Sequence, residues 1–387
     1  MKVSSIMFAL LRFEIKSDEL CDEVKNLITP EVLLALFKLS KKHDLAHLVG
    51  DALNKNGLLP SDAAISKQFL QECNMAVYRC EQLRYEYERV FAVLEDLQVD
   101  YLPLKGTVLR RYYPMDWMRT SVDVDILVHK SDLARVVEAL KRKLHYTQAS
   151  VGAYDAVMVS PTGVHIELHF DLITRYDNEI ANELLADIWN YTNVVGDSYQ
   201  RIIRDDYFYY YHLAHMARHF ISGGCGVRPY VDLWLLNNRV DFDGEKRNIL
   251  LEKGGLLKFA QASELLSRVW MDGESHVQES RLLESYLLTG GVFGTNENKI
   301  VMRQGKTGGR FRYIMYRVFM PLEKMQYRYE ILKRHKWLYP FMIVRRCFEV
   351  LFKGDSKRIK KELQTSDQIS SAQRSESVQL LEYLGIG

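Results

Sequence analysis

The chain has few of the features that mark secreted, zinc-binding or membrane-spanning proteins. Its five cysteines, at positions 21, 73, 80, 225 and 347, form no CxxC pair and no His/Cys zinc spacing, and their odd number suits reduced thiols. No apolar stretch reaches the roughly 18 residues of a membrane span. The short apolar run near the start reaches Glu14 without a convincing signal-peptide cleavage site. We therefore expect a cytoplasmic protein without a membrane span.

Charge and phosphate-loop motifs are also sparse. The net charge of the 387-residue chain is only +2, which does not by itself indicate a nucleic-acid partner. Gly305-Lys306-Thr307 lacks the earlier glycine of a P-loop, because position 300 is Ile300. With 47% hydrophobic residues, the chain can bury a sizeable core and is long enough for two or three domains. The function must therefore be sought in other motifs.

The most informative motif is a glycine turn followed by two acidic residues on an apolar strand. Lys105-Gly106-Thr107 comes first, and Asp123 and Asp125 follow it. Gly106 lets the backbone approach a phosphate, to which nearby N–H groups or the Thr107 hydroxyl can donate. Residues i and i+2 of a strand face the same side, so the two carboxylates can share hard cations that also bind phosphate oxygens. This combination indicates nucleotidyl transfer.

A third carboxylate lies on a predicted hairpin over 154–170, which turns at Ser160-Pro161-Thr162-Gly163. The return strand alternates, with one apolar face (Val164, Ile166, Leu168, Phe170) and one polar face (His165, Glu167, His169, Asp171). If this strand lies beside the Asp123–Asp125 strand, Glu167 completes a three-carboxylate metal site. On the Asp strand, we expect four apolar residues to enter the core: Val122, Val124, Ile126 and Val128.

These residues resemble a known family. The run from Leu104-Lys105-Gly106 through Arg119 and Asp123–Val128 to Ile166–His169 is similar to the bacterial uncharacterised nucleotidyltransferase family, within the DNA polymerase beta-like superfamily. The superfamily pattern is a hydrophobic-Gly-Gly/Ser element, an acidic pair alternating with apolar residues, and a later acidic strand residue. Thr107 stands where Gly or Ser is usual and keeps a hydroxyl.

The expected reaction moves a nucleoside monophosphate from a triphosphate such as ATP to a hydroxyl acceptor and releases pyrophosphate. Asp123 and Asp125 are expected to hold two Mg²⁺ or Mn²⁺ ions. Glu167 is expected to join one ion and to help deprotonate the acceptor hydroxyl. Gly106 and Thr107 are expected to cradle the β- and γ-phosphates. The acceptor, whether a small molecule, a protein or RNA, is left open.

Five further residues have more than one interpretation. Lys105 either counters phosphate charge or is a solvated turn residue. Arg119 either binds phosphate bidentately or pairs with a surface carboxylate. The resemblance implies a helix with Arg228 and Asp232 beside the nucleotide, although a buried pair is equally consistent. His169 can coordinate a metal, donate to substrate or stabilise the structure.

The fold class predicted from the pattern is α+β, with a small mixed β-sheet flanked by helical regions. We expect an N-terminal helical region over 1–97, a nucleotidyltransferase core over 98–174, and a helical domain covering the active site over 175–310. A basic aromatic helical region and tail would occupy 311–387. Local predictions are a helix after Thr29-Pro30, a long helix over 64–97, a helix from Ser131 to about Lys143, further helices over 246–270 and 278–288, a mobile loop over 290–309, and a loosely held tail over 354–376.

Residues 324–353 mix basic and aromatic side chains. They can form a peripheral membrane-surface helix, bind an acidic acceptor such as RNA, or be packed helices with a solvated basic face. An alternative for the whole chain is a catalytically inactive nucleotide-binding or scaffold protein of the same fold, in a surface-polysaccharide or peptide-modification pathway. That alternative predicts nucleotide binding without turnover.

Overall fold

A computed structural model describes residues 2–172, 184–292, 294–307, 319–320, 322, 325–326, 329–352, 365 and 369–386. The N-terminal region is helical, as predicted. Thr29 caps the third helix, where its side-chain oxygen accepts from the Val32 N–H at 3.4 Å and Pro30 occupies the first turn. The five helices are α1 Val3–Lys16, α2 Asp22–Asn26, α3 Pro30–Lys42, α4 Ala46–Lys55 and α5 Ala64–Asp96.

A small mixed sheet follows, and the α+β fold class is confirmed. Its strands lie in the order β1-β2-β5-β4-β3, and β2 and β5 are parallel while every other neighbouring pair is antiparallel. Two helices lie between its strands, α6 Gly106–Leu109 and α7 Leu133–Leu144. The strands are β1 Tyr101–Pro103, β2 Asp123–Val128, β3 Thr147–Val151, β4 Asp155–Val159 and β5 His165–His169. The hairpin predicted over 154–170 is therefore confirmed as β4 and β5.

One face of this sheet packs on helices and the other carries the acidic residues. Val124 and Ile126 of β2 and Ile166 of β5 are buried in a core that also contains apolar residues of α5 and α7. The prediction that Val122 enters this core is wrong, because Val122 is 72% exposed. The strand begins at Asp123, so Val122 precedes the paired residues and is not held against the core face.

The chain after the sheet contains a two-stranded antiparallel sheet and several helices. The strands are β6 Thr192–Val194 and β7 Arg201–Ile203, and Gln200 forms a bridge to Tyr101. The helices are α8 Asp205–Ile221, α9 Arg228–Arg239, α10 Gly244–Lys253, α11 Leu257–Asp272, α12 Gln278–Gly290, α13 Asn296–Thr307, α14 Ile331–Arg334, α15 Tyr339–Phe352 and α16 Ser371–Leu384. The helix predicted over 246–270 is two helices, because Gly254 and Gly255 separate them and Gly255 has a φ of +66°.

The mobile loop predicted over 290–309 is wrong for residues 296–307, which form α13. Ile300 and Met302 are buried in this helix, so it has packed apolar residues despite its one glycine. Gly305 lies inside the helix, where an added Cβ would be 3.0 Å from Leu381 Cδ1 and from Ser377 Oγ of α16. The glycine thus permits close helix packing. Residues 308–309 lie outside the described residues.

The C-terminal tail also differs from its prediction. Residues 371–376 are part of α16, whose first turn is capped by the Ser370 side chain and which packs against α13. The loosely held tail predicted for 354–376 is therefore wrong for this portion, while 354–364 and 366–368 lie outside the described residues. The capping box of Ser370 and Gln373 explains why the helix begins here.

The chain divides into two compact units. Residues 1–216 and 227–276 form the first unit, which contains the five-stranded sheet, and residues 217–226 and 277–387 form the second. The four-part division made from the sequence stays a prediction. Across the described part of the chain, no helix has both the length and the apolar character needed to cross a membrane.

Candidate active site

Three ligand-type side chains meet where β2 and β5 run side by side. The parallel register places Asp125 opposite Glu167, and His169 follows two residues later on the same face. Asp125, Glu167 and His169 each offer one ligand atom, and these atoms all lie within 4.8 Å of one another. His169 Nε2 is 2.7 Å from Asp125 Oδ1 and 3.4 Å from Glu167 Oε2. Glu167 therefore lies beside Asp125 across the two strands, while the three-carboxylate metal site that includes Asp123 stays a prediction.

Asp123 adds a further acidic group to this face. It lies two residues before Asp125 on β2 and is partly exposed. Burial, followed by repulsion from Asp125 and Glu167, raises the pKa of Asp123 to about 6. Carboxylates crowded in this way repel one another, and a divalent cation relieves such repulsion.

Asp125 itself is almost fully buried and is stabilised as an anion. Burial alone would raise the pKa of Asp125, but the charge of Lys105 and the hydrogen bond from His169 outweigh it and lower the pKa to about 2. For His169, burial alone would lower the pKa, but hydrogen bonds to Asp125 and Glu167 raise it to about 9. The structure therefore contains a charged cluster of Asp125, Lys105 and His169.

Lys105 is held in an unusual backbone conformation at the centre of the predicted phosphate turn. Its φ of 46° lies in the left-handed region, which residues other than glycine rarely adopt. Holding a residue in such a conformation costs roughly 1–3 kcal/mol. Its Nζ is 2.7 Å from Asp125 Oδ1, and its side chain is 26% exposed. The neighbouring Leu104 N–H donates to the Asp125 backbone carbonyl at 3.0 Å. Lys105 is thus an ion-paired residue rather than a solvated turn residue.

Gly106 and Thr107 begin the short helix α6. A Cβ added at Gly106 would lie 3.1 Å from Ser121 Cβ, so the absence of a side chain permits this close approach. Arg110, which is 5% exposed, donates from Nε to the Gly106 carbonyl at 3.2 Å and from Nη2 to Ser121 Oγ at 3.0 Å. Arg110 thereby links the turn to the segment that precedes β2. Arg110 was not predicted from the sequence, although its position four residues after Gly106 places it over the same helix face.

Arg119 and Asp232 form a buried ion pair. Arg119 Nε is 2.7 Å from Asp232 Oδ1, and the Tyr113 hydroxyl donates to the same oxygen at 2.8 Å. Both residues are almost completely buried, at 8% and 1% exposure. Arg119 Nη1 also donates to the Thr120 carbonyl at 2.7 Å. Because Asp232 lies on α9 and Arg119 lies just before β2, the ion pair joins this helix to the segment leading into β2.

Arg228 makes a second connection from α9 to that segment. Its Nη1 is 2.5 Å from Asp44 Oδ2 and 2.9 Å from Thr120 Oγ1. Two other buried atoms of these side chains, Arg228 Nε and Asp232 Oδ2, have no hydrogen-bond partner among the described residues. Arg228 and Asp232 each pair with another residue, not with one another. Their direct contact with nucleotide stays a prediction, whereas their contacts with residues 113–120 and 44 are observed.

A cavity lies beside the predicted phosphate turn. Its volume is about 290 Å³, at the lower end of the range for small-molecule sites. Thr107, Val108 and Arg111 line one side, and Tyr87 and Phe91 of α5 line another. Neither Asp125 nor Glu167 is among its lining residues, so the cavity lies beside the turn and apart from the acidic residues.

The donor set fits a divalent cation. Two carboxylates suit hard cations such as Mg²⁺ and Mn²⁺, and an imidazole nitrogen is a ligand that Mn²⁺ and other transition metals accept. The fit rests on Asp125 and Glu167, whose ligand oxygens lie within 4.8 Å of each other. His169 Nε2 lies within the same distance but is hydrogen-bonded to Asp125 Oδ1. From the sequence, His169 could coordinate a metal, donate to substrate or stabilise the structure, and its signal was its place on the polar face of the return strand.

The fold and the acidic strand pair are those of the nucleotidyltransferase class. The family model described as uncharacterised nucleotidyltransferase matches residues 33–272, more than half of the chain. The chain belongs to this uncharacterised nucleotidyltransferase family, and the resemblance found in the sequence is confirmed. None of the curated proteins compared with the chain matches it. The bacterial origin suggested by the resemblance stays a prediction.

Proposed function

We propose that the protein is an active, metal-dependent nucleotidyltransferase that moves a nucleoside monophosphate from a nucleoside triphosphate to a hydroxyl acceptor. The observation that carries this proposal is the grouping of Asp125, Glu167 and His169 across two parallel strands, with Lys105 Nζ 2.7 Å from Asp125. Family membership supports the general reaction class. The acceptor and the base are not specified by these residues.

In this proposal Asp123, Asp125 and Glu167 hold Mg²⁺ or Mn²⁺. When bound, the cation neutralises charge on the phosphate oxygens. Lys105 counters the charge of the β- and γ-phosphates, and Gly106 and Thr107 supply backbone N–H groups and a hydroxyl. The conformational strain at Lys105 supports a functional role, because such strain concentrates at ligand-binding turns.

The reaction balances without any further reactant. The acceptor hydroxyl oxygen forms a bond to the α-phosphorus, and the bond from that phosphorus to the bridging oxygen of pyrophosphate breaks. The hydroxyl proton passes to the Glu167 carboxylate, which is 27% exposed and hence accessible to an acceptor. His169 acts as a positioning residue, because its hydrogen bond fixes the Asp125 carboxylate.

Arg119, Arg228 and Asp232 contribute by holding α9 in place. Their charged groups are already bonded to protein side chains, and breaking such buried pairs costs free energy. We infer that they support the nucleotide site indirectly, through residues 119–120 at the entrance to β2.

A non-catalytic nucleotide-binding or scaffold protein is the second candidate, and one observation favours it. Lys105 and His169 both donate to the same oxygen of Asp125, so the charge of this carboxylate is compensated by protein groups. A protein of this kind would bind nucleotide without releasing pyrophosphate.

Turnover distinguishes the two candidates. The full chain is incubated with each of the common nucleoside triphosphates and Mg²⁺ or Mn²⁺, together with protein, RNA or small-molecule fractions. Pyrophosphate release is measured, and mass spectrometry detects a nucleoside monophosphate adduct. We expect an adduct in one fraction and at least a roughly 100-fold lower rate for Asp125→Asn, since several kcal/mol of charge stabilisation are lost.

The matched control is Asp96→Asn, whose side chain is 68% exposed. It should retain the wild-type rate. Metal-dependent nucleotide binding without a product in any fraction would favour the scaffold candidate. A product formed equally well by Asp125→Asn would place the active site elsewhere.

A further inference from the structure

We propose that the surface around helix α15 is a peripheral binding site for an anionic membrane surface. Four large apolar side chains form what we call the aromatic stripe: Trp337, Phe341, Val344 and Phe348. They are 69%, 64%, 55% and 60% exposed, respectively. This proposal concerns the second compact unit and does not depend on the nucleotidyltransferase reaction.

The stripe is a continuous feature of one helix face. Its members are spaced by four, three and four residues, which places them one above another on a helix. Trp337 belongs to a 3₁₀ turn over Lys336–Leu338 that leads directly into α15, Tyr339–Phe352. The rings of Trp337 and Phe341 contact each other edge to face, with centroids 6.5 Å apart and an interplanar angle of 83°.

Several large apolar side chains of this helix are exposed, while one of its basic residues is buried. Arg346 is only 5% exposed, whereas Phe341 and Phe348 are mostly exposed. A packed helix with a solvated basic face, one of the interpretations left open by the sequence, does not explain why the large apolar groups face outward. Exposed apolar groups arranged in a patch mark an interaction site.

The surrounding charge selects the partner. Residues 331–353 contain six Lys or Arg residues and one acidic residue, Glu349, which is 3.0 Å from Arg345. Lys333, 59% exposed, lies 3.6 Å from Glu330 just before this stretch, and Arg345 is 60% exposed. Arg334 and Lys336 are also exposed, so the basic charge exceeds the acidic charge here. Basic residues flanking an exposed apolar helix face are the combination that binds anionic lipid headgroups while the apolar groups enter the acyl boundary.

The length of the helix determines how it would bind. Helix α15 has 14 residues, which is shorter than the roughly 20 that a membrane-spanning helix requires. It would therefore lie in the plane of the membrane surface. RNA is a poorer fit, because Val344 in the middle of the stripe offers no ring on which a base can stack.

Vesicle flotation of the full chain tests this proposal. We expect wild-type protein to float with vesicles of phosphatidylcholine and phosphatidylglycerol at least about ten-fold more than with phosphatidylcholine alone. The double variant Trp337→Ser with Phe341→Ser should lose at least about ten-fold of this binding. Because both side chains are exposed, circular dichroism should show an unchanged fold.

The matched control is the double variant Tyr78→Ser with Tyr85→Ser, which removes two aromatic side chains that are 59% and 55% exposed on α5. It should bind vesicles as the wild type does. Equal binding by the stripe variant, or no binding of the wild type to either vesicle, would overturn the proposal. If the wild type does not bind vesicles and the stripe variant loses RNA binding or self-association, the aromatic stripe serves that other partner. This outcome would also overturn the proposal.

Discussion

Asp125 Oδ1 accepts hydrogen bonds from two cationic side chains, Lys105 Nζ and His169 Nε2, each at 2.7 Å. The residues of this site differ in how well their positions in it can be predicted from the sequence. Asp123, Asp125 and Glu167 are signalled by alternation along a strand, because the period of two fixes which side chains share a face. Arg110 and the left-handed φ of Lys105 have no such alternation to signal them, and the contact of Arg110 with Ser121 depends on how the turn packs.

The role of His169 can be tested with a neighbour on the same strand. We expect His169→Asn to weaken Mn²⁺-dependent nucleotide binding about ten-fold or more, because Asp125 loses the hydrogen bond that orients it. Isothermal titration calorimetry measures the change. His165→Asn is the matched control, since His165 occupies the same strand face four residues earlier but is exposed. Equal weakening by both variants would contradict a specific positioning role for His169.

At the scale of elements, local patterns predicted the hairpin and the helix after Thr29, but not β3. All five residues of β3 are exposed, so the strand has no alternation of apolar and polar residues to reveal it. A helix carrying Arg228 and Asp232 was implied by the family resemblance, yet the attachment of this helix, α9, to residues 119–120 was not predicted. The Arg119–Asp232 pair joins residues 113 positions apart, a distance that local periodicity cannot reach.

The attachment of α9 should appear as energetic coupling. Arg119→Ala and Asp232→Ala should each lower the free energy of unfolding by about 3–5 kcal/mol, because each leaves a buried charge without its partner. The double variant should lose clearly less than the sum of the two. Urea denaturation of the two single variants and the double variant measures this coupling. Additive losses would show that the pair is not a unit, and the indirect role proposed for Arg119 and Asp232 would then be abandoned.

For the whole molecule, the α+β class and the family were accessible from the sequence because a short run of motif residues identifies them. Which strands are neighbours is a different matter. The parallel pairing of β2 with β5 depends on the crossover through α7, β3 and β4. The sequence could therefore only state that Glu167 joins Asp125 if their two strands are neighbours. Helix α13 was missed because the glycines of the surrounding 290–309 segment, and Gly305 inside the helix, resemble loop residues until packing against α16 is known.

The proposed function requires the carboxylates of β2 and β5 to hold a divalent cation together with a nucleoside triphosphate. Its most direct test is the melting temperature of the full chain with Mg²⁺ or Mn²⁺ plus a triphosphate, compared with the chain alone. Binding to the folded state stabilises it, so the wild type should melt several degrees higher. The variant Asp123→Asn with Asp125→Asn should keep an apo melting transition and lose the shift. An unchanged metal-dependent shift in this variant would contradict the assignment of the site.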